Sequence, residues 1–152
     1  MSLFDSVIEN TESDKPPFRQ APEGHYLVTV RQARKVKANS GTEGIELQFT
    51  MQENLDDADM EGVDLARCRL RNTIWVSEKS IDIVRRTLSR IAPETVGQTF
   101  TDALDILPGA EAVVNVTHLT EDRNGKVLDI PYLEVKGYYS KDWFFNNRMK
   151  AA

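Results

Sequence analysis

The sequence predicts a mainly β protein: a five-stranded Greek-key barrel with one helix between its third and fourth strands. Three observations lead there. Five segments alternate apolar and polar residues at the two-residue period of a half-buried strand. One longer stretch repeats apolar residues at helical spacing. The elements follow the order β-β-β-α-β-β, which is that of the OB-fold, a partly open five-stranded barrel. In that fold the helix plugs one end. A generic α+β sandwich is the alternative that buries the same faces.

The first strand begins near His25 in HYLVTVRQAR, where Tyr26, Val28 and Val30 alternate with Leu27, Thr29 and Arg31. Ser40-Gly41 and Gly44 mark the following loop. The second strand, IELQFTM, alternates most cleanly. Ile45, Leu47, Phe49 and Met51 point one way; Glu46, Gln48 and Thr50 point the other. Residues 53–64 carry six acids and no base, and read as a solvated loop. The third strand is expected over ARCRLRNTIWV. Cys68, Leu70, Ile74 and Val76 share one face, with Arg67, Arg69, Arg71, Thr73 and Trp75 on the other.

Ser77 or Ser80 caps a helix over about 80–92, and Pro93 ends it. Its Ile81, Val84, Leu88 and Ile91 lie on one face. FTDALDILPG holds a second short helical turn. The fourth strand runs through AEAVVNVTHL. Asn124-Gly125 then turns the chain into the fifth, IPYLEVKGYY. There Leu133 and Val135 face one side, and Tyr132, Glu134, Lys136 and Tyr138 the other.

The chain thus divides into a flexible acidic arm (1–23), the barrel domain (24–139) and an aromatic C-terminal tail (140–152). Pro16, Pro17 and Pro22 break regular structure in the arm, where Leu3, Phe4, Val7 and Ile8 could share one amphipathic turn. In the tail, Trp143, Phe144 and Phe145 are adjacent, and packing or self-association is the expected use.

Composition narrows the function. The 152 residues are 40% hydrophobic and 28% charged, which excludes wholesale disorder. No apolar run reaches the roughly 18–20 residues of a membrane helix. The first residues carry acids where a secretory leader is basic. The single cysteine, Cys68, cannot form an internal disulfide, which points to a reducing compartment, the cytoplasm. It is expected inward, as a small core residue.

Catalytic signatures are missing. His25 and His118 are far apart and read as surface or hydrogen-bonded histidines. There is no phosphate-cradling glycine loop, G-x-S-x-G or C-x-x-C. Asp57, Asp59 and Glu61 before Gly62 resemble the start of a calcium loop, but Cys68 stands where its closing glutamate belongs. A protein that is not an enzyme, with no metal and no cofactor, is expected.

The net charge of −5 conceals a segregation of charge. Arg67, Arg69 and Arg71 at period two place three guanidinium groups on one strand face, about 7 Å apart. Trp75 follows on the same face. Like charges in a row repel, and a polyanion relieves that repulsion. Arginine forks suit phosphates, and an indole face suits an unpaired base. The competing reading pairs these arginines with the acidic loop or with Glu46 across the sheet. Arg31, Arg34, Lys35 and Lys37 form a second cluster, at the end of the first strand and in its loop. In an OB-fold this loop and the strand 2–3 face form the nucleic-acid groove. Tyr132, Lys136 and Tyr138 would add an aromatic and cationic face on the fifth strand, unless one or both tyrosines cover core edges with the hydroxyl in water, the reading favoured.

PEGHYLVTV, SGTEGIELQFTM, the arginine-rich strand and SIDIVRRTLSRI together resemble a family of small phage-encoded OB-fold proteins regarded as binders of single-stranded DNA. Gly24 and Tyr26 match its Gly-x-Tyr opening, and Ser40, Gly41 and Thr42 its Ser-Gly-Thr motif. Gly109–Val116 and Tyr132–Val135 match its later strands. The resemblance spans about 24–138. It implies protection or organisation of single strands in phage replication or recombination, within the host cytoplasm. Single-stranded DNA, replication or recombination proteins and further copies of the chain are the partners expected, and no membrane. Many phage and bacterial single-strand binders end in an acidic tail, whereas this chain ends KDWFFNNRMKAA and carries acids in its arm. The rival expectation is a protein-interaction module of a replication, recombination or virion assembly. A small carboxylate- or metal-dependent enzyme is a more distant one.

Overall fold

The computed structural model describes residues 4, 6 and 17–151, and side chains as far as 148. The turn expected at Leu3, Phe4, Val7 and Ile8 lies outside them, Phe4 aside. Among the described residues there are five strands: β1 (Gly24–Lys37), β2 (Glu43–Asn54), β3 (Leu70–Val76), β4 (Glu111–Glu121) and β5 (Val127–Ser140). They form one antiparallel sheet in the order β3-β2-β1-β4-β5. The molecule is mainly β, as the two-residue alternation predicts.

The inner face of this sheet carries Tyr26, Val28, Val30, Leu47, Val114 and Val116, all essentially without solvent contact. Each such Val or Leu contributes about 1.5–3 kcal/mol by leaving water. The expected helix is α1 (Ile81–Ile91), which buries Val84, Leu88 and Ile91. The expected helical turn is a second helix, α2 (Phe100–Ile106), started by Thr99, whose hydroxyl accepts the Asp102 N–H. Two helices rather than one therefore separate β3 from β4.

The sheet is not closed by backbone pairing, but its edges meet. Asn72 Nδ2 of β3 donates to the Tyr138 hydroxyl of β5 at 2.8 Å. Above this seam, Arg90 of α1 donates to the Tyr138 carbonyl at 3.4 Å. Tyr138 was expected outward, with Tyr132, and instead lies in the core, 9% exposed. The cause is a β-bulge. Val116 pairs with Val135 but Asn115 with Gly137, so Lys136 is an extra residue on β5. One extra residue reverses the side-chain alternation beyond it.

The ends bring one correction, in the arm, and one expectation met, the packing of the tail. The arm, expected to be loose through residue 23, is stitched down from residue 18. Ala21 is fully buried and Phe18 packs on the core. Glu23 accepts the His118 N–H at 2.8 Å, and Tyr26 donates its hydroxyl proton to the Pro22 carbonyl at 2.6 Å. The tail is a helix, α3 (Lys141–Ala151), whose first turn is capped by Ser140 Oγ accepting the Trp143 N–H. It packs on β4 and β5. Trp143 stacks on Tyr139 with ring centroids 5.6 Å apart, and Phe144 meets His25 at 5.1 Å. On this side Leu27 and Val113, cross-strand partners, are buried away from the main core. Asp56 ties the far end of α3 down. It accepts the His25 N–H at 2.6 Å and lies 3.5 Å from Arg148.

The seam has a pH signature. Burial pushes the Tyr138 phenol up to about 12, against the lowering effect of the Asn72 bond. The neutral phenol is favoured in the folded state. Its contribution is complete below pH about 10 and is lost as pH rises toward about 12. The stability of the native protein should therefore fall across that window, and Tyr138→Phe should flatten this limb. Denaturant midpoints measured at pH 9, 10 and 11 check it.

Candidate nucleic-acid interface

The register of β1, β2 and β3 decides which side chains share their outer face. Three rows cross the strands: Gln32, Gln48 and Arg71; then Arg34, Glu46 and Thr73; then Val36, Gly44 and Trp75. Arg31 is itself a bulged residue, since Val30 pairs with Phe49 and Gln32 with Gln48. It joins the first row by donating from Nη2 to Gln48 Oε1 at 2.7 Å. Two clusters far apart in sequence thus converge, the β1 arginines and the Arg71–Trp75 segment.

Trp75 is 43% exposed and lies opposite Gly44. A Cβ on Gly44 would stand 2.7 Å from the indole Cε3, so the glycine lets the ring lie against the β2 backbone. Ser80 Oγ donates to the Trp75 carbonyl at 2.8 Å, holding the strand end beneath the ring.

Glu46 occupies the middle row and is 9% exposed. Its Oε1 accepts from Arg34 Nε at 3.0 Å and from Gln48 Nε2 at 3.3 Å. The Arg34 bond first, then the Gln48 bond and the charges of Arg34 and Arg71, hold its carboxyl below the usual range despite burial. The expected pairing of a guanidinium with Glu46 is therefore real, but Arg34 supplies it at hydrogen-bond distance. Arg71 acts on Glu46 by charge alone.

Other expected site residues fall elsewhere. Arg67 is not on a strand. Asp64 accepts the Ala66 N–H and caps a 3-10 turn over Leu65–Arg67, so β3 starts only at Leu70. The Arg67 guanidinium sits 5.3 Å from the Phe18 ring centre, on the N-terminal segment. Arg69 is exposed just before β3. Lys35 and Lys37 pair with Ile45 and Glu43, putting them on the opposite parity from Arg34. Lys35 meets Glu43 at 2.9 Å and lines a cleft of about 540 Å³ with Ile45, Val76, Phe100 and Leu104. Tyr132 is exposed on the β4–β5 hairpin opposite Leu119, and Lys136 lies 3.5 Å from Glu134. Neither belongs to the β1–β3 face. Tyr138 is internal, as above.

The face as assembled holds three guanidinium groups, one half-exposed indole and one recessed carboxylate. It can neutralise an anionic chain and stack a planar group. Cys68 is turned inward, where burial raises its thiol above its ordinary value. Among the described residues no three His, Cys, Asp or Glu side chains cluster as metal ligands would. Gly44, Glu46 and Gln48 are members of the site that sequence reasoning did not assign to it, Glu46 having been weighed only as an internal partner for the arginines.

Two outcomes test this geometry. Gly44→Ala should lift the Trp75 ring, cost about 1–3 kcal/mol through overpacking, and change the Trp75 emission in a Trp143→Phe background. A depressed carboxyl contributes stability above its ordinary pKa, near 4.5, and loses it as pH falls through its folded value. Glu46→Gln should therefore reduce the fall in melting temperature below pH about 4.5.

No protein-family model matches the chain, and no curated protein matches it either, so the functional reading rests on the chemistry of this face.

Proposed function

We propose that the protein is an OB-fold binder of single-stranded DNA, largely independent of sequence, acting through the outer face of β1, β2 and β3. The observation that carries this reading is the convergence of Arg31, Arg34 and Arg71 with Trp75 on one exposed face. The strand order, with β1 central and β3 facing β5 across a seam covered by α1, supports the OB-fold assignment. Arginines take the phosphates and Trp75 takes a base, a contact worth about 1–3 kcal/mol. Arg69, exposed just before β3, borders the path. No bond is made or broken. The role that fits is protection or organisation of single strands in phage replication or recombination.

A second reading, a protein-docking module, has one observation in its favour. The β4–β5 hairpin exposes Leu119, Val127, Ile130 and Tyr132 away from the basic face. Capture of a replication protein without retention on a single-stranded DNA column would favour it.

Titration of tryptophan fluorescence with a single-stranded 30-mer tests the proposal. Quenching should be strong for the single strand and weaker for the matching duplex. Two neutralised phosphates, at Arg31 and Arg71 with Arg34 paired to Glu46, give a log–log salt slope of roughly −1.4 on single strands. The double change Arg71→Ala, Trp75→Ala should weaken binding at least tenfold with the melting temperature nearly unchanged. Lost stability with intact binding would make these residues structural instead.

A further inference from the structure

Glu46 is a group that a surface built only for phosphates would exclude. It stands between the cations, recessed in the sheet, and it stays ionised at neutral pH. A phosphate laid over it would meet a like charge in a partly dry setting, where repulsion is stronger than in water. Whatever lies directly over Glu46 in the middle row must therefore offer donors. Glu46 has acceptor capacity left for them. Its Oε1 already takes the Arg34 and Gln48 bonds, while its Oε2 accepts none from the described residues. Gln48 is fixed in turn, its amide oxygen holding Arg31 and its nitrogen holding Glu46.

Trp75 sits diagonally across from Glu46, because Gly44 pairs with Trp75 and Glu46 with Thr73. Such diagonal neighbours are about 7–8 Å apart, within reach of a base edge stacked on the indole. An ionised carboxylate only accepts hydrogen bonds. Thymine offers one N–H flanked by two carbonyl oxygens. Cytosine and adenine each place a ring acceptor beside the amino group. Guanine alone presents two adjacent donors, N1–H and N2–H₂, with no acceptor between them.

We propose that Glu46, held by Arg34 and Gln48, reads the Watson–Crick edge of a base stacked on Trp75 and favours guanine. This rests on the reading of the face as a single-strand binding surface. It adds a local preference to otherwise sequence-independent binding: phosphates run over Arg31 and Arg71, and one base position turns inward to Glu46.

The test compares three 30-mers: all thymine, guanine at every third position, and the same positions as inosine, which keeps N1–H and lacks the 2-amino group. Affinities are measured with the full chain at two salt concentrations. The guanine strand should bind about fivefold tighter than the thymine strand, or more, with inosine between them. The ratio should be the same at both salts, because a base contact releases no counterions. Glu46→Gln should lose the ratio. Equal affinity for all three strands overturns the inference and leaves the single-strand reading standing, and this comparison needs no variant. A preference that survives in Glu46→Gln also overturns it. No binding of any strand at low salt overturns the reading and the inference together.

Discussion

Strand β1 is the element on which the rest depends, because it is shared. Over Tyr26–Thr29 it pairs with β4 on one side and with β2 on the other. Beyond Val30, whose N–H and C=O go to Ala110 and Gly109, it pairs with β2 alone. The change coincides with the bulge at Arg31. A bulge adds local twist, so the β1–β2 ribbon can turn away from β4 as the sheet curls. That curl brings β3 back toward β5, where the Asn72–Tyr138 bond spans the gap that backbone pairing leaves.

The same strand divides the outer surface in two. Next to its doubly paired half, the face carries His25 and Leu27. Here the aromatic residues of α3 pack and Asp56 anchors Arg148. Burial pushes the Asp56 carboxyl up, but the two His25 bonds and the charges of His25 and Arg148 outweigh it and hold it below the ordinary value. Next to the singly paired half, the face carries the arginines, Glu46 and Trp75, and stays exposed. Helix α3 thus occupies one half of the outer surface and leaves the other exposed. An apolar cover and a charged face on one sheet need strict parity, and the bulges set that parity.

Much of this is legible in the residues. The alternation in β2 assigns Ile45, Leu47, Phe49 and Met51 to the core, and all four are there. The stripe of α1 is likewise readable, and so is the Asn124-Gly125 turn, where Gly125 has φ +79°. Parity beyond a bulge is not readable. Nothing in IPYLEVKGYY announces that Lys136 is unpaired, so period-two reasoning sends Tyr138 to the wrong side. Arg67 was lost to local chemistry, since a carboxylate at Asp64 can cap a turn as readily as precede a strand. Helix α3 left one overlooked signal: Ser140 and Asp142, a cap and a first-turn acid, ahead of WFFNN. The partnership of Gly44 with Trp75 depends on register, which composition does not carry. The basic cluster was legible as a cluster, but only pairing sorts Arg31 and Arg34 onto the face and Lys35 and Lys37 off it.

The central claim is that the open half of the β1–β3 face receives single-stranded DNA. The most direct measurement is a two-dimensional ¹H–¹⁵N spectrum of the labelled protein, with and without a short thymine-rich single strand at low salt. Shifts concentrated at Arg31, Arg34, Gly44, Glu46, Arg71 and the Trp75 indole N–H, with the Trp143 indole N–H unmoved, are the expected result. Shifts confined to α3 and the β4–β5 hairpin, or no shifts at all, would contradict it.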